Sequence, residues 1–363
     1  MILDVLFANP MTQWIISLFF LFLIMRLFAY FAQSGMIGKA DNYVKHCERV
    51  INTAIVKTVT TASTHSNNSL DVIDSRIREL VTMFSISPVA KDPAGIMEKL
   101  RNNIDASTDL ILDDIREIVS EGNEKDVYRI VLMTSVTNAM HVLTRYLRHF
   151  VKGAKKKDEI AKMNLIASFR LMKEMFEAYE LAFIDFSNHR IIGDGIGPLT
   201  VAHIAKEQEL EWATAVEYRT SYAIYKNSGR NIWLVKATGP HGNTGQVGRF
   251  IGNIKPDMII TIDAALKMHG EETGDVRTGV GAAIGGAGYE RYTIEETGVK
   301  SDCPLYAVIV PMSMKEAITV MPEAVFNAMP EVLRRVYDLI ERRTSEGDLV
   351  MVVGVGNTLG VDG

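Results

Sequence analysis

The sequence predicts an α/β domain with a mostly parallel sheet over residues 189–363, preceded by an all-helical region over 37–188 and one N-terminal transmembrane helix within 1–36. Three observations predict it. After Asn188 four short β-rich runs, NIWLVKA, MIITIDAA, LYAVIVPM and LVMVVGVG, alternate with helical patterns such as MPEAVFNAMPEVLRRVYDLIERRTSEG; continuously apolar strands separated by helices indicate a sheet covered on both faces. Between 37 and 187 strand patterns are almost absent, Pro88 and Pro93 are the only prolines, and apolar residues recur at the helical period. Finally, WIISLFFLFLIMRLFAYF, Trp14 to Phe31, reaches with its flanks from Met11 to Gln33 the roughly 20 residues needed to cross a hydrocarbon core.

The elements follow in chain order. Only Asp4 is charged ahead of the apolar run, so no basic n-region marks a cleavable signal. Lys39, Lys45 and Arg49 follow it, which predicts an uncleaved, single-pass anchor with the C-terminal domains in the cytoplasm. Arg26 lies near the end of the run, where its stem can snorkel to the interface. In the helical region LDVIDSRIRELVTMF and DVYRIVLMTSVTNAMHVLTRYLRHFV carry apolar residues at i, i+3, i+4 and i+7. Breaks are expected at SISPVAKDPAG, SEGNEKD and KGAKKKDE. The last, a short basic run, reads as a solvated helix connection, with contact to anionic lipid as the alternative. Met and aromatic residues in FRLMKEMFEAYELAFIDF read as helix-packing core, and these helices can pack within one chain or across a homo-oligomer.

Composition bounds the function. A chain of 363 residues, 47% hydrophobic, can bury two cores. The net charge of −5 and pI near 6.0 predict no nucleic-acid partner. Cys47 and Cys303 lie far apart and outside any C-x-x-C spacing, so neither a disulfide framework nor a cysteine zinc site is expected. GAAIGGAG lacks the preceding apolar strand of a dinucleotide fingerprint, and no G-x-x-x-x-G-K-[ST] loop is present.

Glycines concentrate at the carboxyl ends of the predicted strands, the edge at which open α/β sheets bind ligands. IIGDGIGPLTVAHI sets Asp194 before Gly195, Gly197, Pro198 and an apolar helix start. ATGPHGNTGQVG supplies Gly242, Asn243, Thr244 and Gly245, GAAIGGAG supplies Gly285 and Gly286, and GVGNTLGVDG supplies Gly354, Gly356, Asn357 and Asp362 as further cleft residues. In KPDMIITIDAAL, Asp263 ends an otherwise apolar strand. A carboxylate there must be paired, hydrogen-bonded or functional, because burying it uncompensated is expensive. Asp194 and Asp263 together can share a proton for hydrolysis or hold a divalent metal with His241 or His269. His203 also lies near these loops, but no pair of histidines has the spacing of a zinc helix. The cofactor expectation is therefore none or a divalent metal.

From GDGIGPLTVAHI through GPHGNTGQVGRFIGNIKPDMIITIDAAL to GGAGYERYTIEETGVKSDCPLYAVIVPMSMKEA the chain resembles the spore germination protease and, more distantly, the hydrogenase-maturation endopeptidases. The resemblance implies a phosphorylase/hydrolase-like sheet, circularly permuted: the G-x-G-N strand stands last, about 160 residues after the D-G-I-G-P turn that follows it in those families. It further implies a hydrolase, an endopeptidase in which Asp194 and Asp263 direct a water at a protein or peptide substrate and the glycines around Asn357 shape the cleft. The whole chain also resembles an archaeal, membrane-anchored family of unknown function. A catalytically inactive binding or scaffold protein on the same fold, and a small-ligand or metal sensor, are the alternatives.

Overall fold

The computed structural model describes residues 10–84, 96–238, 245–284 and 289–361. They divide into two compact units, Met1–Ile51 with His141–Phe176, and Asn52–Met140 with Glu177–Gly363. The helices are α1 (Pro10–Ser63), α2 (Leu70–Thr82), α3 (Ile96–Ile118), α4 (Glu124–Lys155) and α5 (Glu159–Ser187). In the first unit Ala40, Val44, Leu147, Val151, Leu165 and Met172 form a small core, with Tyr43 edge-on to Phe169 and Phe176 at 5.9 and 6.0 Å. The basic run at 152–159 is a helix connection: Lys155 pairs with Asp41 at 2.7 Å, and Asp158 caps α5 by accepting the Ile160 and Ala161 N–H groups.

The predicted membrane anchor is corrected. Among the described residues no helix is long and apolar enough to cross a membrane, a span requiring roughly 20 consecutive apolar residues. Residues 11–33, which prompted the expectation, open the continuous helix α1, and their side chains lie outside the described residues. With it falls the predicted single-pass location.

The α/β part begins with a single turn at Gly193–Gly195 and α6 (Ile196–Glu207), followed by β1 (Ala213–Ala215), β2 (Thr220–Asn227), β3 (Arg230–Ala237), α7 (Val247–Ile254), β4 (Met258–Leu266), β5 (Arg277–Val280), α8 (Tyr289–Lys300), β6 (Leu305–Met312), the short α9 (Met314–Ile318) and α10 (Glu323–Phe326), α11 (Met329–Arg343) and β7 (Leu349–Gly354). The sheet order is β1-β2-β3-β7-β4-β6-β5. The sheet is mixed, a correction to the expected mostly parallel one. The four strands read from the sequence form its parallel centre, β3-β7-β4-β6, whereas β1, β2 and β5 add antiparallel edges. Those edges carry no continuous apolar run: β2 is TSYAIYKN, and all four residues of β5 are exposed. A two-residue hairpin joins β2 to β3, with Ser228 and Gly229 both at positive φ, the backbone twist that tight hairpins select.

Strand alternation builds both faces. Ile232, Leu234, Ile260, Ile262, Val350 and Val352 point to one core with α6 and α11; Val235, Ile259, Met351 and Val353 point to the other with α7 and α8. The end of α5 joins the first face's edge through Asp185, 5% exposed, which accepts the Val320 N–H at 2.8 Å and faces Arg190 at 3.3 Å.

Helix α6 meets the carboxyl ends of β4 and β7 backbone to backbone. A Cβ on Gly197 would stand 2.3 Å from the Ile262 carbonyl and 2.4 Å from that of Val355, and one on Gly354 would stand 2.5 Å from the Gly197 carbonyl. Gly252 on α7, by contrast, has only ordinary van der Waals neighbours at 3.6 Å. Gly197→Ala is therefore expected to lower unfolding free energy by about 2 kcal/mol or more through forced backbone displacement, and Gly252→Ala to raise it by about 0.5–1 kcal/mol through helix propensity; urea unfolding of the two variants reads both signs.

Candidate functional site

The carboxyl edge of the central strands gathers most of the described candidates. Lys236, Gly354 and Ile262 stand in register across β3, β7 and β4. Gly356, at φ +128°, lets the segment after β7 pass against the turn at Asp194: a Cβ there would overlap the Asp194 carbonyl. Asp194 Oδ2 accepts the Asn357 N–H at 2.9 Å, and Gly195 packs on the Asn357 carbonyl. Asn357, buried, uses its Oδ1 to accept the Leu359 N–H at 2.8 Å, which turns the chain again. Thus Asp194, Gly195, Gly197, Pro198, Gly354, Gly356 and Asn357, from segments about 160 residues apart, form one edge.

Asp194 retains some solvent contact, yet enough protein surrounds its carboxyl that burial pushes its pKa up, against the lowering effect of the Asn357 N–H. Asp263 is buried. By alternation along β4 it shares the side of Ile259, toward α7 and α8, whereas α6 and Ile262 occupy the opposite side.

Other candidates stand elsewhere. Gly245, at φ +67°, packs on the Arg219 carbonyl, His269 is exposed in the turn after β4, and His203 on α6 lies 3.2 Å from Glu207. His241, Gly242, Asn243, Thr244, Gly285, Gly286 and Asp362 lie outside the described residues. Among the described residues no group of three or more His, Cys, Asp or Glu side chains is arranged to hold a metal ion.

Beside the Asp194 edge opens a cleft of about 550 Å³. Its walls are Asn123–Asp126 and Tyr128 at the start of α4, His189, Ser221, Lys236–Thr238 at the end of β3, and Thr358–Val361 directly after Asn357. Lys236 is 3% exposed, with its Nζ 4.4 Å from the Trp212 ring centroid. Ser221 and Thr238 hydroxyls bond each other at 2.7 Å. Sequence reasoning missed Lys236, although a single charge inside NIWLVKA was a usable signal.

A second buried carboxyl stands across the sheet. Glu290, in the first turn of α8, is 4% exposed and accepts the Gly248 N–H at 3.0 Å. Burial raises its pKa to about 7; Asp105 on α3 adds to the shift, while the Gly248 N–H, Arg101 and Arg249 oppose it.

Two family profiles match the chain: "Protein of unknown function (DUF1512) N-terminal domain" over residues 14–189 and "Domain of unknown function (DUF1512) C-terminal" over 192–362. No curated protein matches. Among solved structures the chain is similar to the crystal structure of a PAC2 family protein from Streptomyces avermitilis MA, at 14% identity, covering 42% of this chain and 84% of that one, with a TM-score of 0.29. The profile descriptions name no activity, so the hydrolase and protease-like labels drawn from the resemblance gain no support from them, and neither do the germination-protease kinship and the archaeal origin.

Because its folded pKa of about 7 lies above the ordinary glutamate value of 4.5, Glu290 binds its proton more tightly in the folded chain. Its contribution is full below pH 4.5 and is lost as pH rises through 7, about 3 kcal/mol in all. Unfolding free energy followed from pH 4.5 to 8 is expected to fall over this window in the wild type and to fall less by that amount in Glu290→Gln.

Proposed function

The chain belongs to the DUF1512 family, and from that premise we propose that its α/β domain is a binding module for a small ligand held at the carboxyl edge of the sheet. The observation that carries this reading is the 550 Å³ cleft between the start of α4, the end of β3 and residues 358–361. It has the volume of small-molecule sites and stands where α/β sheets take ligands. Asp194 then serves to pin the turn before α6 to the chain after β7, through the Asn357 N–H, and so holds one wall in place.

A second reading, hydrolysis of a protein or peptide substrate by Asp194 and Asp263, draws on the meeting of residues 193–198 with 354–357, the junction that a circular permutation calls for. Asp194, its carboxyl biased toward the protonated form, would be the proton donor. By alternation along β4 Asp263 points to the side away from α6, and a shared proton requires the two carboxyls in direct contact.

Thermal unfolding of the full chain against a panel of small metabolites tests the first reading. A ligand present at 100 times its dissociation constant is expected to add about 2.7 kcal/mol, and the gain should vanish in Thr238→Trp, which fills the cleft. A panel that shifts nothing rejects the binding module. Mass spectrometry of unfolded protein substrates incubated with the full chain tests the second. Cleavage by wild type, lost in both Asp194→Asn and Asp263→Asn with folding intact, would replace the binding reading with the hydrolytic one.

A further inference from the structure

The unit formed by Met1–Ile51 and His141–Phe176 collects positive charge. Its Lys and Arg are more than twice as many as its Asp and Glu, although the whole chain is net −5. The excess is concentrated on one side of α4. Arg145, His149, Lys152 and Lys156 recur at i, i+4, i+7 and i+11, which sets them within about 60° of one another around a helix. Lys156 lies one residue past the last of α4, but its N–H still bonds the Lys152 carbonyl at 3.2 Å, so the turn continues. All four side chains are exposed, and among the described residues none of them meets a carboxylate. Neighbouring cations do: Arg148 pairs with Glu48 at 2.5 Å, Lys155 with Asp41 at 2.7 Å and Lys162 with Glu159 at 3.5 Å.

Like charges at this spacing repel. The carbonyls that end α4 offset part of this for Lys152 and Lys156, but Arg145 stands nearly three turns before that end, beyond the reach of the helix dipole. His141, one turn further back on the same side, is held toward its neutral form first by burial and then by Arg145 and Arg148. An anionic partner from outside the chain relieves that repulsion.

Exposed apolar side chains decide which anion fits. The end of α4 meets the start of α5 where Gly153 packs on Ala161, and there Ile160 and Met163 are 74% and 69% exposed, with Tyr146 at 59% beside Arg145. Nucleic acid is held by cations, by hydrogen-bonding side chains and by flat aromatic rings, so aliphatic chains add nothing to it. An anionic bilayer surface uses both kinds of group, its headgroups meeting the cations and its acyl boundary taking the aliphatic chains.

We propose that this end of the unit, from Arg145 to Met163, docks on an anionic lipid surface, with the Arg145–Lys156 side on the headgroups and Ile160 and Met163 entering the acyl boundary. Such contact is peripheral and needs no helix that crosses the bilayer.

Flotation of the full chain with phosphatidylcholine vesicles, with and without one third phosphatidylglycerol, tests it. Binding to the anionic vesicles is expected to exceed binding to the neutral ones at least tenfold and to fall at high salt. Arg145→Gln, Lys152→Gln and Lys156→Gln combined should weaken it at least tenfold, since each cation near such a surface contributes about fivefold. Ile160→Ser with Met163→Ser should weaken it severalfold. All five side chains are exposed, so neither variant removes a core contact. Absence of binding, equal binding to both kinds of vesicle, or binding that either variant leaves unchanged overturns the proposal. A parallel titration with duplex DNA reads the other polyanion: DNA binding lost in the charge variant, without flotation on anionic vesicles, assigns the face to nucleic acid instead.

Discussion

The backbone contact between Gly197 and the ends of β4 and β7 governs the rest of the α/β architecture. A helix normally stands about 10 Å from a sheet on a layer of side chains, but here the first turn of α6 reaches the strand carbonyls directly because two glycines, Gly197 and Gly354, face each other. That approach brings Asp194 against the Asn357 N–H. It also forces the chain after β7 through Gly356 at φ +128°. Once the contact forms, the positions of Asp194, Asn357 and the following turn are coupled, and none can move without disturbing the central strand.

The cleft is a consequence of that coupling. Residues 358–361 are laid beside the end of β3 because Asn357 is held by both its N–H and its side-chain oxygen. The opposite wall comes from the turn before α4, so part of the helical sequence completes the edge of the sheet rather than forming a separate support. The acids of that wall carry arginines from α3 and α4. Removing a carboxylate from water is offset when a guanidinium comes with it.

Glu290 and Glu316 shift in opposite directions although burial raises the pKa of both. Glu290 receives one backbone N–H and is otherwise enclosed, so it favours the proton at neutral pH. Glu316, by contrast, closes a capping box with Ser313 and bonds Thr273 while Lys267 stands nearby, and these partners outweigh burial to hold its pKa below the ordinary glutamate value. The difference lies in donors, since a carboxylate supplied with several is better solvated by protein than one supplied with a single amide.

The sequence by itself determined the α/β class, the helical breaks near 119–123 and 156–158, and the four central strands, because continuous apolar runs and helical periodicity are local signals. It also marked Asp194, Gly197, Gly354, Gly356 and Asn357 as edge residues, since glycines beside an acid at strand ends have few other uses. The antiparallel edges escaped because β2 mixes polar with apolar residues and β5 is exposed throughout, so neither carries a continuous apolar run. Only the tertiary structure decided that β7 lies between β3 and β4, that Asp263 and α6 take opposite sides of the sheet, and that Lys236 and the start of α4 line one cleft. Those facts depend on strand order and on which face each alternate residue takes, and both are settled by packing between segments distant in the chain.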